Sequence, residues 1–188
     1  MEGASSLITY LPEEEKDAQE TNRRVEEIGE SCHCFATDLR DKKNCQAVVD
    51  TALKTLGGID ILASNAGTQT MIDDIKNLDD YAFPILHVGS SVLTDFHRSQ
   101  WESTFDTNIH SIFYLSKYTV PHLKSGSTII NCASVNHYIG RPDLLDYTAT
   151  KGAIFAFTRG LSNQQVKNDI RVNCVCPGPV WTPLIPQL

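Results

Sequence analysis

The sequence predicts an α/β protein built on a parallel sheet with helices on both faces. Short β-branched runs alternate with longer helical stretches along the chain, and strands alternating with helices join as parallel β/α/β units. Capping residues stand at many of the joints. With 188 residues, 41% of them hydrophobic, the chain can bury one sizeable core.

Ser5 to Tyr10 reads as the first strand, and the acidic stretch Glu13 to Ile28 as a helix closed by Gly29. Ser31 to Thr37 is the next strand, followed by a helix over Asp41 to Leu56 with Gly57 and Gly58 behind it. Ile59 to Ser64 is a third strand, and Trp101 to Leu123 has helical period. Ser127 to Ala133, Tyr147 to Lys167 and Ile170 to Cys176 then give strand, helix and strand. Tyr81 to Ser99 breaks this rhythm, with Pro84, Gly89 and two apolar clusters of neither period, and reads as a loop insert at 81–99. Without it, Asp79 and Asp80 would cap the helix that holds Trp101 and Phe105.

The net charge of -7 comes from acids spread along the chain, with no basic stripe, which argues against nucleic acid and anionic membrane as partners. No apolar run approaches the roughly 18 residues of a membrane span, and the first residues lack a basic region followed by an apolar core. The expectation is a cytoplasmic protein. Cys32 with Cys34, and Cys174 with Cys176, sit two apart in strand-like runs and so share a face. They read as buried small hydrophobes, and no metal site is expected.

Tyr147 and Lys151 form Y-T-A-T-K, and a spacing of four places both on one helix face. A fixed positive charge near a phenol favours the phenolate, so Lys151 is expected to lower the Tyr147 pKa and let Tyr147 exchange a proton with a substrate oxygen. Ser134, thirteen residues earlier at a strand end, can hold that oxygen. Alone, such a pair is common on solvated helix faces. It stands here in an ordered set: Asp38-Leu39 after one strand, Asn65-Ala66-Gly67 after the next, Asn108 in the following helix, Ser134 after another strand, and Pro177-Gly178 after the last.

This set resembles the short-chain dehydrogenase/reductase family from residue 5 to 185 apart from the insert. The stretches LLDYTATKGAI, AFTRGLS and PGPVWTPLIP resemble its glucose/ribitol dehydrogenase and NADP-dependent aldehyde reductase branch. The resemblance implies a Rossmann-like doubly wound sheet and an oxidoreductase moving a hydride between NAD(P) and an alcohol, sugar or aldehyde carbonyl. Tyr147 would be the general acid/base, and Lys151 would lower its pKa and bind the nicotinamide ribose. Ser134 would orient the substrate oxygen, and Asn108 would hold a water in a proton relay. Asp38 and Leu39 would flank adenine, Asn65, Ala66 and Gly67 would line the adenosine half, and Pro177, Gly178, Val180 and Thr182 would face the nicotinamide. Asn108 and the glycines also have purely structural readings. His137 and Tyr138, close after Ser134, are placed to line a substrate pocket, but such residues are common on surface loops and are read as that.

Against the family pattern, the expected first strand with its glycine-rich, pyrophosphate-binding turn is absent, as is the C-terminal strand that often builds the oligomer interface. Residues 1–188 are therefore expected to form a single incomplete NAD(P)-binding domain whose sheet is split into two halves. It should bind a dinucleotide weakly or not at all. Ser64 replaces the asparagine usual before N-A-G. With no acid at the end of its first strand, in Tyr10-Leu11-Pro12, the chain leans toward NADP over NAD. A homo-oligomer is compatible with the family. The alternative is a catalytically inactive fragment or a non-enzymatic binding subunit.

Overall fold

The computed structural model describes residues 3–79 and 99–180. β1 (Ser6–Tyr10) pairs in parallel with β2 (Cys32–Ala36), from Ser6 opposite Cys32 to Tyr10 opposite Ala36. A 3-10 turn at Pro12–Glu14 and α1 (Glu15–Glu27) connect them. The first turn starts where Pro12 fixes φ for a helical entry and Glu14 accepts from the Leu11 amide. Glu20 bridges to Arg23 and Arg24 along α1. These pairs are exposed, screened by solvent, and add little; it is the packing of Ala18, the one buried residue of α1, that ties the helix to the rest.

α2 (Lys42–Leu56) begins where the Asp41 side chain accepts from the Lys43 amide and ends at Gly57, whose φ of 78° lies in the left-handed region. It buries Cys45, Val48, Val49 and Ala52, the i, i+3, i+4 and i+7 positions of one face. A second parallel sheet follows, in the order β3 (Ile61–Ser64), β4 (Thr128–Cys132), β5 (Arg171–Val175). Leu62, Ile129 and Val172 stand in register across it and pack with Ile170 against Val120, Leu123 and Leu161.

The helix read as continuous from Trp101 to Leu123 has three parts. α3 (Gln100–Phe105) runs through a π-turn at Asp106–His110 into α4 (Ser111–Thr119), and a 3-10 turn at Val120–His122 ends the run. Its cap is Ser99, fully buried, whose hydroxyl accepts from the Glu102 amide, and this replaces the expected Asp79/Asp80 cap. Asp79 still adjoins the helix, because its carbonyl accepts from the Trp101 amide at 3.5 Å. The rest of the expected insert lies outside the described residues. A short helix, α5 (Asn136–Ile139), follows β4 where a loop was expected, and α6 (Leu145–Gln165) leads on to β5. No helix among the described residues is long and apolar enough to cross a membrane.

The two half-sheets are the expected consequence of a sheet with no strand between β1 and β3. Among the described residues each of those strands has one ladder partner. A shared core nevertheless spans both: Leu7 of β1 and Leu62 of β3 pack on the cluster of Leu39, Cys45, Val48, Val49 and Leu115. Both cysteine pairs share a face as read. Cys174 and Cys176 pack together on the cluster of Ile112, Ala133 and Ile154, and all six cysteines are free.

Candidate active site

The carboxyl ends of β3, β4 and β5 lie near the first turns of α6 and the π-turn, and each contributes one part of the candidate set. Ser134 stands two residues beyond β4 and is 6% exposed. Its hydroxyl accepts from the Asn136 amide at 3.2 Å and neighbours the Tyr147 phenol. Tyr147 and Lys151 lie one turn apart on α6. Lys151 is 3% exposed, and its Nζ donates to the Cys132 carbonyl at 2.8 Å while standing 5.3 Å from the centroid of the Tyr147 ring.

The electrostatics differ from the sequence expectation. Burial pushes the Tyr147 phenol above its ordinary value, and the neighbouring Ser134 hydroxyl only partly opposes this. Burial likewise pushes Lys151 below the ordinary lysine value. A sequence shows the spacing of the pair but not its desolvation. Here burial of the phenol outweighs the help expected from an amine committed to a carbonyl.

Asn108 is fully buried at the centre of the π-turn, a distortion often found at functional sites. Its Nδ2 donates to the Thr68 carbonyl at 2.9 Å and to the Thr150 hydroxyl at 3.0 Å, and its Oδ1 accepts from the Thr68 amide at 2.7 Å. Asn108 thus clamps the chain just beyond Asn65-Ala66-Gly67, itself an exposed run past β3. A Cβ at Gly67 would stand 3.3 Å from Asn108 Oδ1 and 3.5 Å from Lys151 Nζ, so the absence of a side chain is what lets this backbone approach both. Pro177 joins the group, because its carbonyl accepts from the Val135 amide next to Ser134. Gly178 and Val180 follow it and are exposed, while Thr182 lies outside the described residues.

Asp38 and Leu39 are at the far end, beyond β2. The Arg40 guanidinium grips the Asp38 carboxylate at 2.6 to 3.0 Å, and the Leu39 side chain is buried in the core. At the end of β1, where the sequence offered no acid, the fold brings one: the Tyr10 hydroxyl donates to Glu15 at 2.7 Å. Tyr10 is held up to about 12, chiefly by that hydrogen bond.

One group escaped the sequence reading, and a second was set aside in it. Asp146, directly before Tyr147, is 1% exposed; its Oδ2 accepts from Thr104 Oγ1 at 2.7 Å and Gln100 Nε2 at 3.1 Å, and its Oδ1 from the Tyr147 amide at 2.7 Å. The only local signal was an acid beside the tyrosine at a helix start. His137, read as a loop residue, is on α5 and stacks on Phe155 at 4.5 Å between centroids, and its Nδ1 meets the Ser134 carbonyl.

The family model for short chain dehydrogenases matches residues 2–188. An uncharacterised oxidoreductase of Schizosaccharomyces pombe is 47% identical over 98% of this chain and 58% of its own length. The chloroplastic NADPH-dependent aldehyde reductase 1 of Arabidopsis thaliana is 44% identical over 98% of this chain and 60% of its own. The crystal structure of a glucose/ribitol dehydrogenase from Brucella melitensis superposes with a TM-score of 0.80 at 29% identity, covering 98% of this chain and 66% of that one. The chain therefore spans about three fifths of the length of the curated relatives it matches. By its sequence and by its fold, it belongs to the short-chain dehydrogenase family.

Proposed function

We propose that this site moves a proton to or from a substrate oxygen during hydride exchange between a nicotinamide dinucleotide and an alcohol, sugar or aldehyde. The observation that carries the proposal is the grouping of buried Ser134, just beyond β4, with Tyr147 and the buried Lys151, whose Nζ stands 5.3 Å from the Tyr147 ring centroid. Ser134 orients the substrate oxygen. Tyr147, protonated at neutral pH because burial holds its proton, gives that proton to a developing alkoxide in the reductive direction. The dinucleotide supplies or accepts the hydride when bound.

The residues present fit one half of such a cofactor. Glycine at position 67 brings the backbone close to Asn108 and to the buried Lys151 amine, which would bind a ribose hydroxyl. Pro177 to Val180 would face the nicotinamide, and Asn65 to Gly67 with Asp38 and Leu39 would line the adenosine side. For the pyrophosphate, no glycine-rich turn stands between β1 and β3 among the described residues. The binding is accordingly proposed to be weak. The finer choice of NADP over NAD draws support from the NADPH-dependent relative, and at the β1 end both Glu14 and Glu15 already accept hydrogen bonds from within the chain. Residues 1–188 are proposed to act as one domain in the cytoplasm on a small-molecule substrate. A second reading, a binding subunit without turnover, is favoured by the split sheet.

The test is Tyr147→Phe assayed with an aldehyde and NADPH. Turnover should fall by about two to four orders of magnitude, the usual share of a general acid, while dinucleotide affinity is retained. Unchanged turnover in the variant would remove Tyr147 from the chemistry. Absence of turnover in the parent chain would leave the binding-subunit reading.

A further inference from the structure

Among the described residues, Asp146 and Lys151 are the only charged side chains that are fully buried, and they bracket Tyr147 on one helix. Lys151 belongs to the site already described. Asp146 faces the opposite way, toward α3. A buried carboxylate is costly unless its lone pairs are filled, and here neutral donors fill them: the Thr104 hydroxyl, the Gln100 amide and the Tyr147 backbone N–H. Its place in the first turn of a 21-residue helix adds the favourable end of the helix dipole.

Both backbone polar groups of Tyr147 are held by side chains tied to the neighbouring helix. The Tyr147 N–H donates to Asp146, which is bonded to Gln100 and Thr104 on α3. The Tyr147 carbonyl accepts from the Thr150 hydroxyl at 2.7 Å, and Thr150 in turn accepts from Asn108 on the π-turn. Two rungs four residues apart thus lock the turn that carries the phenol. Gln100 extends the first rung to the Thr70 carbonyl, so the chain beyond Gly67 is held by the same network.

We propose that Asp146 is a positioning residue for Tyr147: through its bonds to α3 it fixes the direction of the phenol toward Ser134. The inference rests on the reading of Tyr147 as the acid/base, but its test does not require turnover. The effect is one of geometry, so an acceptor in the same place suffices and the charge is dispensable.

The test is NMR of the full chain labelled with 13C at tyrosine Cζ, with the Tyr147 signal assigned by its loss in Tyr147→Phe. In Asp146→Ala the phenol should leave its buried seat, moving the Tyr147 signal at neutral pH and bringing its titration down toward that of an ordinary phenol. Asp146→Asn keeps an acceptor for the Tyr147 amide, and a Thr104 hydroxyl turned to accept, with the Gln100 amide flipped to present its oxygen, restores the rung, so its signal and titration should match the parent. A folded Asp146→Ala with an unmoved Tyr147 signal would overturn the proposal, and so would an Asp146→Asn displaced as far as the alanine variant. If Asp146→Ala does not fold, Thr104→Val decides: removing one donor should move the Tyr147 signal in the same direction by less, and no movement refutes the role. Should Tyr147→Phe retain turnover, the acid/base reading falls while these spectra still report whether Asp146 positions the ring.

Discussion

Removing the Asn108 amide gives the sharpest test of how the site is held. Asn108→Ala deletes three hydrogen bonds, two to the Thr68 peptide and one to the Thr150 hydroxyl, from a side chain with no solvent exposure. Each contributes about 1 kcal/mol net. Thr68 is only half-buried, so water can replace part of its loss, whereas the space left by the amide adds a packing cost. The sum is about 3 kcal/mol. With a urea dependence of about 2 kcal/mol per molar, typical of a small domain, the unfolding midpoint should fall by about 1.5 M at unchanged slope. Circular dichroism and intrinsic fluorescence should give coincident curves, as two-state unfolding requires. Asn108→Asp separates hydrogen bonding from volume. It keeps the acceptor for the Thr68 amide but turns a second acceptor on the Thr68 carbonyl, and it should cost at least as much as alanine. A midpoint shift below about 0.5 M for alanine, or a near-neutral aspartate, would refute the clamp.

Other expectations follow from burial and charge. Because the Tyr147 phenol sits above its ordinary value, kcat/KM for reduction should stay flat through neutral pH and fall only as pH rises past the ordinary phenol range, while oxidation should rise over that same interval; a reductive limb falling near pH 7 would contradict this. Ile154→Ala should cost about 2–5 kcal/mol, since the side chain has no exposure and lies between Ile112 and Ala133, and thermal melts with the variant check it. Cys45 is fully buried, donates to the Leu39 carbonyl at 3.1 Å and is pushed up by burial to about 11. It should react with an aromatic disulfide reagent only once the chain unfolds, and mass spectrometry after brief native labelling would reveal any earlier reaction.

Much of the fold could be read locally. Asp41 and Gly57 delimit α2 through their own side chain and backbone freedom, and the strands β1 to β5 fall inside the runs read as strands, trimmed by one or two residues. The split into two sheets was also legible, because it depends only on which strand the order lacks. What was hidden is long-range. The π-turn interrupts a run of ordinary helical period, and its amide binds Thr68 forty residues away. The direction of the Tyr147 shift depends on how α6 buries the ring, which no spacing encodes. Ser99 looked like the tail of an insert, yet its hydroxyl caps α3. Leu39, read together with Asp38 as flanking adenine, carries a side chain that packs in the core, which its place after a strand did not reveal.

The central claim, that Ser134, Tyr147 and Lys151 serve a nicotinamide dinucleotide, is tested most directly by calorimetric titration of NADPH, then NADH, into the chain after circular dichroism has shown it folded. The account predicts weak but saturable binding, with Kd between roughly 10 μM and 1 mM. It should be tighter for NADPH, retained in Tyr147→Phe and lost in Lys151→Met. A folded chain that takes up neither dinucleotide at millimolar concentration, or binding indifferent to Lys151, would contradict it and leave the catalytic residues without a use in this chain.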